Sequence, residues 1–213
     1  MALNEQPVVL IVDGGINGGS RTHLGMFDIP YLTSIPNIEY LAPTNKEELQ
    51  SMLDWALTQS DKPVVIRKPS GPVYSGAVTQ NSYDEISYDI VQEGSKIALI
   101  GLGDFLDLAK KAAQQLEDCF GVKPTIINPK SATSLDAKLL NQVAKTYQVI
   151  ATLENGSLSG GFGEKIAHFF AASNTKVLLF GAQKQFTDCS KDQLLSQNHL
   201  TAELIAKDIS SYL

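Results

Sequence analysis

Apolar residues along this chain fall into two alternating patterns, short continuous runs and longer stretches spaced at three and four. Val8 to Val12 is a β-branched run too short for a buried helix, and it reads as a strand covered on both faces. After a glycine-rich loop, Phe27 to Ser34 predicts a short helix, with Asp28 as N-cap and Pro30 in the first turn. Asn37 to Leu41 predicts the next strand. Thr44 and Glu47 then form a capping-box pattern ahead of Leu49, Met52, Leu53 and Ala56, which repeat along one helical face. Val64 to Arg67 follows as a short buried strand, stopped by Pro69, Gly71 and Pro72.

From Pro72 to Tyr88 the chain is polar and lacks any apolar period, so it reads as a linker between two units. Beyond it, Tyr88 to Val91 and Lys96 to Ile100 are spaced for a hairpin with Gly94 in the turn. A helix capped by Asp104 carries Phe105, Leu108, Ala109, Ala112 and Leu116 on one face and ends at Gly121. Strands over Thr125 to Ile127, Val149 to Leu153 and Val177 to Phe180 alternate with helices near Leu135 to Lys145 and Glu164 to Ala171. A last helix spans Thr201 to Tyr212. Strands taking turns with helices give an α/β fold, two units of three α/β/α layers each, with mostly parallel sheets.

Composition narrows the class. The 213 residues are 43% hydrophobic and 19% charged, as in a globular protein, and suffice for one large unit or two small ones. A net charge of -6, with no run among the 17 Lys and Arg residues, argues against a nucleic-acid partner. No apolar stretch has the length of a membrane span and the N-terminus lacks a signal-peptide pattern, so a cytoplasmic location without membrane attachment is expected. Cys119 and Cys189 are too far apart for metal or redox spacing and read as reduced thiols.

Two glycine-rich segments invite a nucleotide reading. Gly14, Gly15, Gly18 and Gly19 do not make the dinucleotide fingerprint, and Gly101-Leu102-Gly103 lacks its third glycine, replaced by Leu106. Tight strand-to-helix geometry accounts for that second turn, and close helix packing for Gly160, Gly161 and Gly163. The first loop instead presents Ser20 to His23, and His23 is the titratable candidate for proton traffic near neutral pH. Spacing alone leaves open a loop histidine satisfied by local hydrogen bonds.

The segment THLGMFDIPYLTSIPN followed by LAPTNKEELQSML resembles 1-deoxy-D-xylulose-5-phosphate synthases, which are thiamine-diphosphate enzymes of the transketolase type. LENGSLSGGFGEKI and FGAQKQFTDCSKDQLL resemble later segments of the same family, so the likeness covers nearly the whole chain. It implies the C-terminal half of a pyrimidine-binding domain over residues 1–75, a linker over 76–88 and a transketolase C-terminal domain over 89–213. It also implies that His23 faces cofactor and substrate as the catalytic group and that Thr22 and Asp28 bind at the cofactor and position the loop; Glu154 and Asn155, at the end of a buried strand, read as structural polar contacts across a subunit face.

The intact enzyme would condense pyruvate with glyceraldehyde 3-phosphate in isoprenoid precursor synthesis, using thiamine diphosphate and Mg. The domain that holds metal and diphosphate does not lie within these residues. The resemblance therefore implies a homodimer or a partner chain that supplies it, and no cofactor held by this chain alone. The sequence departs from the family where an arginine expected to grip a substrate phosphate is Ser70, where an acidic residue is Gly19, and where an arginine after Asp13 is Gly14. Arg67, Lys68 and Ser70 are expected to bind the substrate, with Arg21 as a further cation for its phosphate. These departures keep two alternatives open: a transketolase or 2-oxoacid dehydrogenase β-type half acting on another acceptor, and a non-catalytic oligomerising module.

Overall fold

The computed structural model describes residues 1–16, 21–68, 72–78, 80–183, 185–186 and 188–213. The first unit is a parallel sheet of three strands, β1 (Val9–Asp13), β2 (Glu39–Leu41) and β3 (Val64–Lys68), in the order β1-β3-β2. Two helices serve it, α1 (Asp28–Thr33) and α2 (Lys46–Ala56). The second unit is a sheet of five strands in the order β4-β6-β5-β7-β8, with β4 (Asp89–Gln92), β5 (Ile97–Gly101), β6 (Thr125–Asn128), β7 (Val149–Ser157) and β8 (Lys176–Ala182). Its helices are α3 (Phe105–Phe120), α4 (Ala137–Thr146), α5 (Phe162–Phe169), α6 (Lys191–Gln197) and α7 (Ala202–Ser210).

Both units are layered as expected of parallel sheets. In the second, Leu106, Ala109, Ala113 and Leu116 of α3 meet Ile205 and Ile209 of α7 on one face of the sheet. Leu140 and Val143 of α4 and Phe162 and Ile166 of α5 cover the other. In the first, Met52 and Trp55 of α2 pack on Leu41, Val64 and Ile66. The opposite face, with Tyr40 and Val65, joins Ile29 of α1 in the same cluster as Ile100 and Leu102, so the second unit completes the sandwich of the first.

Several local expectations give way to tertiary contacts. β1 is an edge strand, not one buried on both faces, and Ile11 is 56% exposed, although Val9 at the start of the strand still packs against the α2 cluster. The expected hairpin at Gly94 does not form: β4 pairs antiparallel with β6. Gly94 is needed because a Cβ there would lie 2.3 Å from the Pro124 carbonyl carbon. The cap of α2 lies one residue further on, with the Asn45 side chain accepting from the Glu48 N–H at 2.8 Å. Neither Asp28 nor Asp104 makes a side-chain cap, because each carboxylate is engaged elsewhere. Helix α6, with its Ser190 and Gln193 capping box, has no counterpart in the sequence reading.

The polar segment between the units is docked. Tyr83 is buried edge-on against Trp55, and Lys130, also buried, bonds Asp89, Gln80 Oε1 and the Ser87 carbonyl. The units are joined further by an antiparallel bridge between Leu41 and Ser131. Beside it the buried Glu39 carboxylate accepts from the hydroxyls of Ser131, Thr133 and Ser134. A carboxylate taken out of water is tolerable only with such donors, so this contact fixes one mutual placement of the units.

Candidate active site

The carboxyl ends of β1, β3 and β7 meet through Arg67 and Asn155, and ligands sit at such strand ends in open α/β folds. Asp13 ends β1, Lys68 ends β3, and Glu154 to Ser157 end β7. The loop leaving β1 carries His23 and is pinned from both units. Gly15 donates to the Gly25 carbonyl at 2.9 Å, which closes the loop on itself. Ile16 N–H donates to Asn155 Oδ1 at 2.8 Å, and Ser157 N–H to the Met26 carbonyl at 2.7 Å. Asn155 Nδ2 in turn donates to Asp104 at 2.7 Å. Within the chain, Glu154 and Asn155 are thus held by local contacts, because β7 runs directly under the loop.

At the base of the loop lies a buried ion pair. Arg67 donates from Nε to Asp28 Oδ2 at 2.8 Å, and from Nη2 to Asp28 Oδ1 at 2.9 Å and to the Asn155 carbonyl at 2.7 Å. The Tyr40 hydroxyl also donates to Asp28. Burial works against the Arg67 charge, yet the neighbouring Asp28 carboxylate holds its pKa above the usual value. Burial, and then the Asp28 charge, pushes the Tyr40 phenol up as well. Gly14 is part of this arrangement, since a Cβ there would lie 1.9 Å from Asp28 Oδ2. No side chain fits where the family carries an arginine.

His23 itself is exposed, and the Thr22 hydroxyl lies 2.8 Å from its Nδ1. When that hydroxyl donates, the ring proton sits on Nε2, which is then the nitrogen free to meet a substrate oxygen. Two residues before it, Arg21 is held by a residue that sequence reasoning missed. Asp188 of the second unit accepts from the Arg21 backbone N–H at 3.0 Å and from Nε at 2.9 Å, with a further ion pair to Nη2. That bond holds the Asp188 carboxyl below its usual range. Four residues after His23, Phe27 packs edge-on against Phe186, with centroids 5.8 Å apart. Only the separation in sequence, 167 residues between Arg21 and Asp188, hid this partnership.

Of the residues singled out from sequence, His23, Thr22 and Asp28 lie along this loop, and Arg67 lies beneath it. Arg67 is 5% exposed, with Nε and Nη2 donating to Asp28 and Asn155, so turning that edge of the guanidinium to a substrate phosphate would require breaking the buried pair. Lys68 is exposed and paired with Asp13 at 3.2 Å. Ser70, Gly18, Gly19 and Ser20 lie outside the described residues. Behind the loop, Glu154 is buried and accepts from the N–H groups of Phe162 and Gly163 at 2.9 and 2.8 Å. Burial pushes its carboxyl up to about 7 despite those donors.

A solved fold of the same class is a split-gene transketolase described as an inactive β4 tetramer: TM-score 0.83, 20% identity, 99% of this chain and 68% of that one. A Pichia stipitis transketolase solved with sedoheptulose 7-phosphate superposes with TM-score 0.75 at 18% identity, over 99% of this chain and 30% of that one. Two joined α/β units of the transketolase fold are therefore what the architecture defines. The chain belongs to the transketolase family, with the C-terminal domain matched over residues 87–205 and the pyrimidine-binding domain over residues 1–73.

Curated relatives named 1-deoxy-D-xylulose-5-phosphate synthase include one from Symbiobacterium thermophilum, 34% identical over 97% of this chain and 33% of that protein. Another, from Carboxydothermus hydrogenoformans, is 35% identical over 95% of this chain and 33% of that protein. The chain thus spans about a third of the length of these relatives.

The fit to thiamine diphosphate is partial. Among the described residues no group of three or more His, Cys, Asp and Glu is placed to hold a metal ion. Arg21, Arg67 and Lys68 are each paired with a carboxylate. These residues do not suit the diphosphate and metal end of such a cofactor. No helix among the described residues is long and apolar enough to cross a membrane.

Proposed function

We propose that this chain forms one part of a thiamine-diphosphate-dependent transferase that moves a two-carbon unit from pyruvate to an aldehyde. The observation that carries the reading is His23: an exposed imidazole on a loop held from both units, at the carboxyl ends of the strands of both sheets. Family membership and the similarity to 1-deoxy-D-xylulose-5-phosphate synthases support the reaction class. Thiamine diphosphate supplies a carbon nucleophile in such enzymes, and the rest of the site, with Mg, comes from another part of the protein or from a partner chain. The β1 edge and exposed Ile11 leave room for that part beside the first unit.

Within this assembly, Thr22 sets the tautomer of His23, and His23 gives a proton to the acceptor oxygen as its carbonyl becomes a hydroxyl. Asp28 and Arg67 hold the floor of the loop without touching substrate. Reconstitution with the missing domain, thiamine diphosphate and Mg should give carbon dioxide release from pyruvate and two-carbon transfer to an aldehyde. His23→Ala should lower kcat by about a hundredfold or more, the ordinary worth of a positioned acid or base. A reconstituted assembly that cleaves no donor, or a His23→Ala variant with unchanged turnover, refutes the reading.

The resemblance brings glyceraldehyde 3-phosphate as the acceptor, as the names of the relatives imply. The pairing of all three candidate cations favours a second reading, an acceptor without phosphate. Assembly as a dimer in the cytoplasm fits both.

A further inference from the structure

The loop that carries His23 is held at its root by one side-chain amide. Asn155, 1% exposed near the end of β7, accepts the Ile16 N–H on Oδ1 at 2.8 Å and donates from Nδ2 to Asp104 at 2.7 Å. Its backbone carbonyl accepts from Arg67 at 2.7 Å, so the floor of the loop hangs on the same residue. The loop backbone runs tight against this amide: a Cβ on Gly15, whose φ is +116°, would lie 2.8 Å from Asn155 Nδ2. Two residues after Asn155, the Ser157 N–H donates to the Met26 carbonyl at 2.7 Å, so β7 grips the loop both before and after His23.

An amide has two unlike ends, and its surroundings decide which end points where. Beside a hydrocarbon, Asn155 could turn either Oδ1 or Nδ2 toward the Ile16 N–H, and the second choice sets two donors against each other. A carboxylate accepts and does not donate, so Asp104 draws Nδ2 to itself and commits Oδ1 to the loop. Asp104 stands at the N-cap of α3, yet its side chain makes no cap hydrogen bond there. Forgoing a cap costs the helix stability, and a local rule broken in this way points to a task outside the helix.

We infer that Asn155, turned by Asp104, is a positioning residue that sets where the His23 imidazole stands, so that α3 and β7 of the second unit govern a proton transfer made from the first. Neither side chain needs to touch substrate. The inference rests on the transferase reading for what His23 does, while the grip on the loop belongs to this chain and is measurable without turnover.

Amide hydrogen exchange on the 213-residue chain gives that measurement. Asn155→Ala should speed exchange at Ile16 and Gly15 about tenfold or more, since one buried hydrogen bond is lost and the closure of Gly15 on Gly25 loosens with it. Ala109 and Ala112 in α3 should exchange as in wild type, which separates a freed loop from a destabilised fold. Asn155→Asp should act in the same direction, because it sets two carboxylates against each other. Adding Asp104→Asn to Asn155→Asp should restore slow exchange, since the swapped pair again has one amide and one carboxylate, with an oxygen left for the Ile16 N–H.

In the reconstituted assembly, Asn155→Ala should lower kcat about tenfold with KM for the aldehyde nearly unchanged, as when a proton donor is misplaced, and the swapped pair should recover most of the loss. Exchange at Ile16 and Gly15 indifferent to Asn155→Ala, or a swapped pair no better than Asn155→Asp alone, overturns the inference whether or not the assembly turns over. Faster exchange with wild-type kcat overturns it too, because the grip then has no bearing on His23. The expected exchange in an assembly whose wild type is inactive supports the grip and refutes the transferase reading.

Discussion

Replacing Arg67 with Met tests the structure where its electrostatics are least shielded. The substitution keeps much of the aliphatic volume and removes three hydrogen bonds, two to Asp28 and one to the Asn155 carbonyl. What remains is a carboxylate at 9% side-chain exposure with the Tyr40 hydroxyl as donor, and an Asn155 carbonyl that has lost its charged donor. Removing one partner of a buried pair costs about 3–5 kcal/mol, because the surviving charge is stranded in a medium that solvates it poorly. Against a typical stability of about 5–15 kcal/mol, the loss is a large fraction of the whole.

Urea unfolding at pH 7 measures it, with Trp55, the single tryptophan and a buried one, reporting on the first unit. Asp28→Leu on the Arg67→Met background should restore part of the loss, with a coupling energy of about 2 kcal/mol or more, since no charge is then stranded. If Arg67→Met costs under about 1 kcal/mol, the pair is not desolvated as described. In that case Arg67 becomes available to a substrate phosphate, and the second reading, an acceptor without phosphate, falls with it.

Other consequences can be checked on the same material. Gly14→Ala drives a Cβ to within 1.9 Å of Asp28 and should destabilise by about 1–3 kcal/mol, read as a lowered urea midpoint; an unchanged midpoint contradicts the packing at the loop base. Glu154 titrates at about 7 in the fold against 4.5 when free, so between these values the native state keeps a proton that the unfolded chain has lost. Its contribution is complete below about pH 4.5 and falls by roughly 3 kcal/mol as pH rises through 7, so the stability of wild type minus Glu154→Gln should shrink between pH 5 and 8. A difference that does not vary with pH shows that the carboxyl is ionised throughout. Asp188→Asn should lower kcat/KM with little change in thermal midpoint, because it frees the Arg21 end of the catalytic loop while touching no core residue.

Elements whose character is local were legible in the sequence. The face of α3 and its glycine stop emerge as read, with Gly121 in the left-handed conformation at φ 66°. The strands of the second unit lie within a few residues of their apolar runs. Where reading failed, a distant partner had outbid a local one. β4 has the spacing of a hairpin, yet it pairs with β6 because that places it on the open side of a sheet whose inner edges β5 and β7 already share. Asp28 has the signature of an N-cap, but a buried guanidinium offers its carboxylate two charged hydrogen bonds in place of one backbone N–H.

The sequence by itself determined the class of fold, the helix faces and the presence of a histidine loop after the first strand, because these follow from periodicity and from glycine within a few residues. Tertiary structure alone decided which charges are free. Arg21, Arg67 and Lys68 look alike in one dimension as candidates for a phosphate, and folding sets a carboxylate against each one. Two of those carboxylates come from 39 and 167 positions away in the chain. Coulomb attraction acts through space and not along sequence, so the electrostatics of a site assembled from two units are settled only once the units meet.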